Sequence, residues 1–279
     1  MDTSAKDEMI FSFAEWLRDQ GKSANTIKTY TGVLSQFCDQ TQKILMEIHS
    51  EDVQGYLDYL ENCKKSPGTI EKHYIALNVF FKFLGKPQVM LSVERKVKEH
   101  KLEVPETLSI NEQQILLRDI EAEGNLRNIA IVYLLLHTGI RVSELCDLNG
   151  RDVIMETERN YILVRNAKGE IDRSVPLTLS AIQHVKNYLY SLKETADPLF
   201  ISSYNQRITP RSVQYILKRY NVHPHKLRHT FCQRLVDNGI DIQTISKLAG
   251  HKDLNVTKRY LKEESLDLAN AIDQTFTKH

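Results

Sequence analysis

The amino-acid sequence predicts a mainly α-helical protein of two domains, with a small antiparallel β-sheet confined to the second. Three observations carry this. Apolar residues recur at helical spacing in four successive stretches of residues 1–87, the pattern that gives each helix one buried stripe. The charged stretch "KPQVMLSVERKVKEHKLEVPETLS", with two prolines, then loses the period, as linkers do. Within 106–279, one segment places β-rich flanks around a turn, and the rest returns to helical patterning.

In the first helix Ile10, Phe13, Trp16 and Leu17 share a stripe. After Gly21, Ser23 stands as the N-cap of a second helix that carries Ile27, Tyr30, Leu34 and Phe37; a serine hydroxyl there accepts from a backbone N–H that the helix start leaves open. Val53, Tyr56, Leu57 and Leu60 form a third stripe. A fourth follows "SPGT" and runs through Ile70, Tyr74, Leu77, Phe80, Phe81 and Leu84 to Gly85. Four short amphipathic helices with short connections imply a helical bundle, and no cluster of reactive side chains falls inside it.

The second domain opens near Pro105. Ser109 and Glu112 have capping-box spacing ahead of Leu116 and Leu117. The strongly apolar "LRNIAIVYLLLHTG" reads as a buried helix ended by Gly139. The strand pair is "YILVRNAKGEIDRSVPL", turning at Lys168 and Gly169. Further helices are expected at 179–193, 211–220, 225–238 behind Pro224, and 241–249 behind Asp241.

Length and composition bound the function. The chain of 279 residues is comfortable for two domains with a core each. Its 41% hydrophobic and 26% charged residues are ordinary for a soluble protein. No apolar run approaches the ~20 residues a bilayer needs, so no membrane partner is expected. "MDTSAKDEMIF" lacks the basic-then-apolar order of a secretory signal, which makes the cytoplasm the expected compartment. Cys38, Cys63, Cys146 and Cys232 form no C-x-x-C pair and read as reduced thiols.

The net charge of +1 hides a local excess. Arg219, Lys226, Arg228, Arg234, Lys247, Lys252, Lys258 and Arg259 face only Asp237, Asp241 and Asp253 in the same stretch. Such a patch attracts phosphate, although a charged stretch also serves as a plain solvated face.

Within that patch lies "HPHKLRHTFC". Pro224 suits the first helical position, so His225 and Arg228 fall three apart on one face and can address one ligand. Leu227, Phe231 and Leu235 lie on another side and anchor the helix in the core. The free N–H groups at the helix start favour an anion. Metal binding is the rival reading, through His225, His229 and His251. Yet Lys226 stands where a zinc hydrolase helix carries glutamate, and Arg228 sits between the candidate ligands, so no metal is expected. In "HTGIRVSEL", Arg141 follows a helix-ending glycine with Glu144 positioned to orient its guanidinium. In "LAGHKDLNVTKRYL", His251 leaves a glycine turn and Tyr260 lies among Thr257, Lys258 and Arg259. Alone, such a tyrosine reads as a packing residue.

Taken in order, "TGIRVSELCDL", "AKGEIDRSVPL", "HPHKLRHTF" and "LAGHKDLNVTKRY" give the chain a resemblance to the tyrosine recombinase, or phage integrase, family. The resemblance implies that Arg141, Lys168, His225, Arg228, His251 and Tyr260 form the catalytic set, with Glu144 in support. It implies a SAM-like core-binding domain at 1–87, which holds "SANTIKTY", a linker at 88–105, and a catalytic domain at 106–279 with a C-terminal tail helix. Ala167 and Ala249 depart from the family pattern without removing a functional group.

The implied activity is site-specific breakage and rejoining of double-stranded DNA, in integration, excision or resolution. Attack on a phosphodiester needs a nucleophile, charge neutralisation on the nonbridging oxygens, and a proton for the leaving oxygen. Tyr260 is expected to form a 3′-phosphotyrosyl bond, Arg141 and Arg228 to grip the nonbridging oxygens, and Lys168 to protonate the 5′ oxygen. His225 is expected to assist at Tyr260 and His251 to bond a phosphate oxygen. The ester energy is preserved, so no cofactor is required. Candidate DNA contacts on the bundle are Lys22, Ser23, Thr26, Lys28 and Lys72. The resemblance further implies a tetramer on DNA, in the cytoplasm at the nucleoid. The tail segment with Leu266, Leu268, Ala269 and Ile272 is expected to dock on a neighbouring catalytic domain. A simple Xer-like organisation, a transposon resolvase and a mobile-element integrase all stay open. The alternatives are a type IB topoisomerase-like relaxing enzyme and a non-catalytic DNA-binding accessory protein.

Overall fold

The structure, a computed structural model, describes residues 3–94, 105–156, 159–166, 169–192, 197–251, 253, 256–257 and 260. The chain divides into two compact units, Met1–Lys101 and Leu102–His279.

The first unit holds α1 (Thr3–Asp19), α2 (Ala24–Thr41), α3 (Ser50–Asn62) and α4 (Pro67–Phe83). Ser23 caps α2 by accepting the Thr26 N–H at 3.2 Å, and Ser66 caps α4 in the same way from Thr69. Every residue of the four expected stripes lies in the core or packs against it. The centre is aromatic: Phe13 meets Phe80 edge to face at 5.2 Å, and Phe37 meets Tyr56 likewise at 5.1 Å, the arrangement that ring quadrupoles favour. Beyond α4 a short 3-10 turn, Pro87–Met90, carries Val89 and Met90 into the same core, and Val93 follows them. Loss of helical period in this stretch is therefore not loss of burial.

The second unit is helical around one sheet. Its elements are α5 (Ile110–Ala122), α6 (Leu126–Thr138), α7 (Val142–Asp147), β1 (Val153–Met155), β2 (Asn160–Arg165), β3 (Ile171–Pro176), α8 (Leu179–Ser191), α9 (Pro210–Lys218), α10 (Pro224–Asp237) and α11 (Ile242–Ala249). The expected capping box forms at α5, where Ser109 and Glu112 each accept the other's backbone N–H. Helix α6 is buried along nearly its whole length, which explains its unbroken apolar sequence. The sheet is antiparallel in the order β1-β2-β3, with Ile162 paired to both Val153 and Val175. It contains the expected hairpin and adds β1 as an edge strand.

Gly139 fixes how α6 meets α10. It ends α6 in the left-handed region at φ 61°, and a Cβ there would lie 2.2 Å from the Phe231 ring. Only glycine satisfies both conditions, and the close approach brings α10 against the turn that leads to Arg141.

Candidate active site

Three chain turns converge beside α10. The first follows Gly139: Arg141 is the N-cap of α7 in extended conformation. Its backbone N–H donates to Glu144 Oε2 at 2.7 Å and its Nη1 to Glu144 Oε1 at 2.8 Å. Its Nη2 donates to the Gly250 carbonyl at 2.6 Å. The second is the start of α10, where Pro224 occupies the first turn and His225 sits one turn ahead of His229, with ring centroids 6.4 Å apart. On the same helix Arg228 is buried, 6% exposed, and its Nη1 donates to the Gly139 carbonyl. The third is the end of α11, closed by Gly250 at φ 70°. His251 leaves it with its N–H on the Ser246 carbonyl at 3.0 Å and its Nδ1 2.8 Å from Thr257 Oγ1.

The electrostatics of this cluster are those of an anion site. Burial, then the charges of Arg228, Arg141, His229 and Arg173, push the His251 imidazole down to about 4. Burial, then His223, Arg228 and Arg141, lower His225 as well. Burial first, and then the surrounding cations, disfavour the charged form of both rings, which leaves the positive charge on Arg141 and Arg228. The nearby acid is Glu144. Burial alone would raise its carboxyl, but hydrogen bonds from Arg173 and the Arg141 N–H, together with both guanidinium charges, outweigh that and hold it below the usual carboxylate range. The Arg141 side chain is 41% exposed and is thus open to a ligand. Two guanidiniums with neutral imidazole donors suit the nonbridging oxygens of a phosphodiester.

Tyr260 is 1% exposed. Its ring packs with Cys232, Ile245 and Ala249, and its hydroxyl meets His229 Nδ1 at 2.5 Å. The structure thus brings together Arg141, Glu144, His225, Arg228 and His251, and sets Tyr260 against the same helix through His229. Sequence reasoning had considered His229 only as a metal ligand. Its available signal was its spacing from His225, four residues on and so on the same helical face. Arg173 on β3 was missed altogether; it pairs with Glu144 at 2.9 Å, and nothing in the sequence marks it except its place in the hairpin. Among the described residues, no group of three or more His, Cys, Asp or Glu side chains could hold a metal ion.

Lys168 and the tail beyond Tyr260 lie outside the described residues. Of the described neighbours of Lys168, the Gly169 N–H donates to the Asn166 carbonyl at 2.9 Å and Arg165 Nη1 to the Gly169 carbonyl at 3.0 Å. Of the bundle residues, Lys22 and Lys28 rim one groove between α1 and α2 together with Arg18. Ser23 and Thr26 spend their hydroxyls on the α2 cap, 2.9 Å apart. Lys72 is exposed on α4. Among the described residues no helix is long and apolar enough to cross a membrane.

Known proteins carry the same two parts. Residues 106–265 match the phage integrase family, and residues 10–89 match the phage integrase N-terminal SAM-like domain. The tyrosine recombinase XerA of Pyrococcus horikoshii is 32% identical over 279 residues, covering 96% of this chain and 93% of its own. Among solved structures, the Tn1549 transposon integrase in complex with circular intermediate DNA superimposes with a TM-score of 0.74 at 20% identity, over 95% of this chain and 98% of the other. The pre-cleavage complex of the XerH site-specific recombinase with its difH substrate gives 0.72 at 22% identity, over 91% and 79%. With a family match over more than half of its length and this relative alongside, the chain belongs to the phage integrase family.

Proposed function

We propose that this protein is a site-specific DNA recombinase that cuts and rejoins duplex DNA through a 3′-phosphotyrosyl intermediate. The observation that carries the reading is the meeting of Arg141, Arg228, His225 and His251 around one open, cationic site, with Tyr260 held on the same helix by His229. Arg141 and Arg228 bind the nonbridging oxygens of the scissile phosphate and stabilise the charge that builds on them. His251 and His225, kept neutral, supply hydrogen bonds and proton transfer without adding repulsion between cations. The Tyr260 oxygen attacks phosphorus, its proton passing to an imidazole of α10, and the P–O bond to the 5′ oxygen breaks. Lys168 donates the proton that this oxygen takes up. A DNA 5′-hydroxyl reverses the same steps on a new partner strand, and the phosphotyrosyl bond conserves the ester energy.

The names of the relatives support recombination over relaxation. Strand exchange between two duplexes calls for two protomers per site and four at synapsis, on DNA of the cytoplasmic nucleoid. We assign the bundle, extended through the buried Val89, Met90 and Val93, to core DNA binding, with Lys22, Ser23, Thr26, Lys28 and Lys72 as contacts, the stretch from there to 105 to a linker, and 106–279 to catalysis. The test is a plasmid with two copies of the duplex that the protein enriches from a random-sequence library. Recombinant products with a protein-linked 3′ end are expected. Relaxation alone, from plasmids with one copy as readily as two, would make it a type IB topoisomerase-like enzyme. Binding with no covalent adduct would make it an accessory protein.

A further inference from the structure

The cations of the cluster are themselves held from behind. Arg173 stands on β3 with its side chain only 10% exposed, and every nitrogen of its guanidinium is engaged. Nη2 donates to Glu144 Oε2 at 2.9 Å and Nη1 to Glu144 Oε1 at 3.2 Å. Nε donates to the Leu248 carbonyl at 2.9 Å and Nη2 also to the Ala249 carbonyl at 3.2 Å. Nη1 further meets Asp172 at 3.1 Å. Leu248 and Ala249 end α11, where helix carbonyls lack intrahelical partners and the dipole favours a cation. Gly250 follows, and its carbonyl accepts from Arg141; His251 comes next. The guanidinium fills the space beside that glycine, since a Cβ on Gly250 would lie 2.6 Å from Arg173 Nη1.

We propose that Arg173 is the positioning residue of this cluster: by gripping Glu144 and the end of α11 at once, it sets the orientation of Arg141 and the place of His251 without touching the phosphate. The inference rests on the reading of the cluster as a phosphoryl-transfer site. A planar guanidinium can serve a carboxylate and two carbonyls together in one fixed geometry, which a lysine ammonium cannot. Small displacements of groups that grip a transition state are costly, about 10²-fold in rate for ~1 Å. The charges that bear on Glu144 are Arg141 from the start of its own helix, Arg173 from β3 with Asp172 beside it, and Arg228 from α10. With Arg173 gone, the burial of Glu144 is less well opposed, so its carboxyl takes up a proton on mild acidification and releases Arg141.

The probe is the duplex enriched by the wild-type protein from a random-sequence oligonucleotide library, with single-turnover formation of SDS-stable adduct and binding anisotropy followed from about pH 5 to 8. Arg173→Gln is expected to bind within about threefold of wild type and to form adduct about 10²-fold more slowly. Its rate should also fall more steeply on acidification than the wild-type rate, which falls only as the imidazole that accepts the Tyr260 proton is protonated, and adding Glu144→Gln should abolish the excess. Gly250→Ala displaces the same guanidinium with no change of charge and should show the same split between binding and cleavage; it decides the matter if Arg173→Gln does not fold. Cleavage by both variants within about threefold of wild type, equal loss of binding and cleavage, or a slow rate in Arg173→Gln with the same pH dependence as wild type would overturn the proposal. A wild-type protein that forms no adduct removes the phosphoryl-transfer reading and the proposal with it, whereas wild-type adduct with unaffected variants removes the proposal alone.

Discussion

The hydroxyl of Tyr260 meets Nδ1 of His229 at 2.5 Å, one helical turn beyond His225. A phenol has an ordinary pKa of about 10 and is protonated at neutral pH, so a nucleophilic tyrosine needs a proton acceptor within reach. An imidazole whose Nδ1 faces the phenol supplies one. His229→Ala is expected to slow adduct formation by about 10²-fold with DNA affinity unchanged, measured in single turnover on the enriched duplex. Full-rate cleavage by that variant would return the role to His225.

Gly139 gives a prediction about stability. Its φ of 61° and the 2.2 Å approach of a Cβ to Phe231 penalise any side chain twice, through backbone strain and through overlap with an aromatic ring. Gly139→Ala should destabilise the second unit by about 2–4 kcal/mol, read from urea denaturation. Combining it with Phe231→Leu should recover part of that loss; no recovery would mean that the ring is not the obstacle.

Much of this was legible in the sequence, for physical reasons that differ between elements. The four stripes of the first unit, from Phe13 to Phe81, follow the helical period because burial is periodic there. Ser23 and Ser109 announce helix starts because capping is local. The sequence did not reveal β1, since Val153–Met155 is too short to show alternation and exists by pairing with β2. Nor did it reveal α7, only six residues long. Arg173 was invisible because its meaning comes from Glu144, 29 residues away in the chain, and His229 because Tyr260 is 31 residues away. Tertiary approach, which no local pattern encodes, decides both.

His251 predicts a pH dependence of stability. Its ordinary value is 6.5 and the fold lowers it to about 4, by burial first and then by the neighbouring cations. Between those values the unfolded chain binds the proton and the folded one does not, so protonation favours unfolding. The contribution is present in full above the ordinary value and is lost as pH falls toward the folded one. His225, His137 and His73 are lowered too and act in the same direction, so the test is a difference. Thermal denaturation of His251→Gln should lose less stability than wild type between about pH 7 and pH 4.5. Equal losses would show that His251 keeps its ordinary value in the folded protein.

The last prediction separates nucleophile, charge stabilisers and leaving-group acid. Tyr260→Phe removes only a hydroxyl, so DNA binding should survive while every covalent adduct disappears. If Lys168 protonates the 5′ oxygen, Lys168→Ala should slow cleavage of ordinary DNA by about 10²–10⁴-fold, the scale of a positioned acid. A 5′-bridging phosphorothioate leaves as a thiolate, which needs little protonation, so cleavage of that strand should recover in Lys168→Ala. It should not recover in Arg141→Ala or Arg228→Ala, because the charge on the nonbridging oxygens is the same with either leaving atom. A gel assay for protein-linked DNA, with normal and sulfur-substituted strands across the four variants, reads all of this at once. Adduct from Tyr260→Phe would remove the nucleophile, and a Lys168→Ala variant that sulfur does not rescue would take the lysine out of its role.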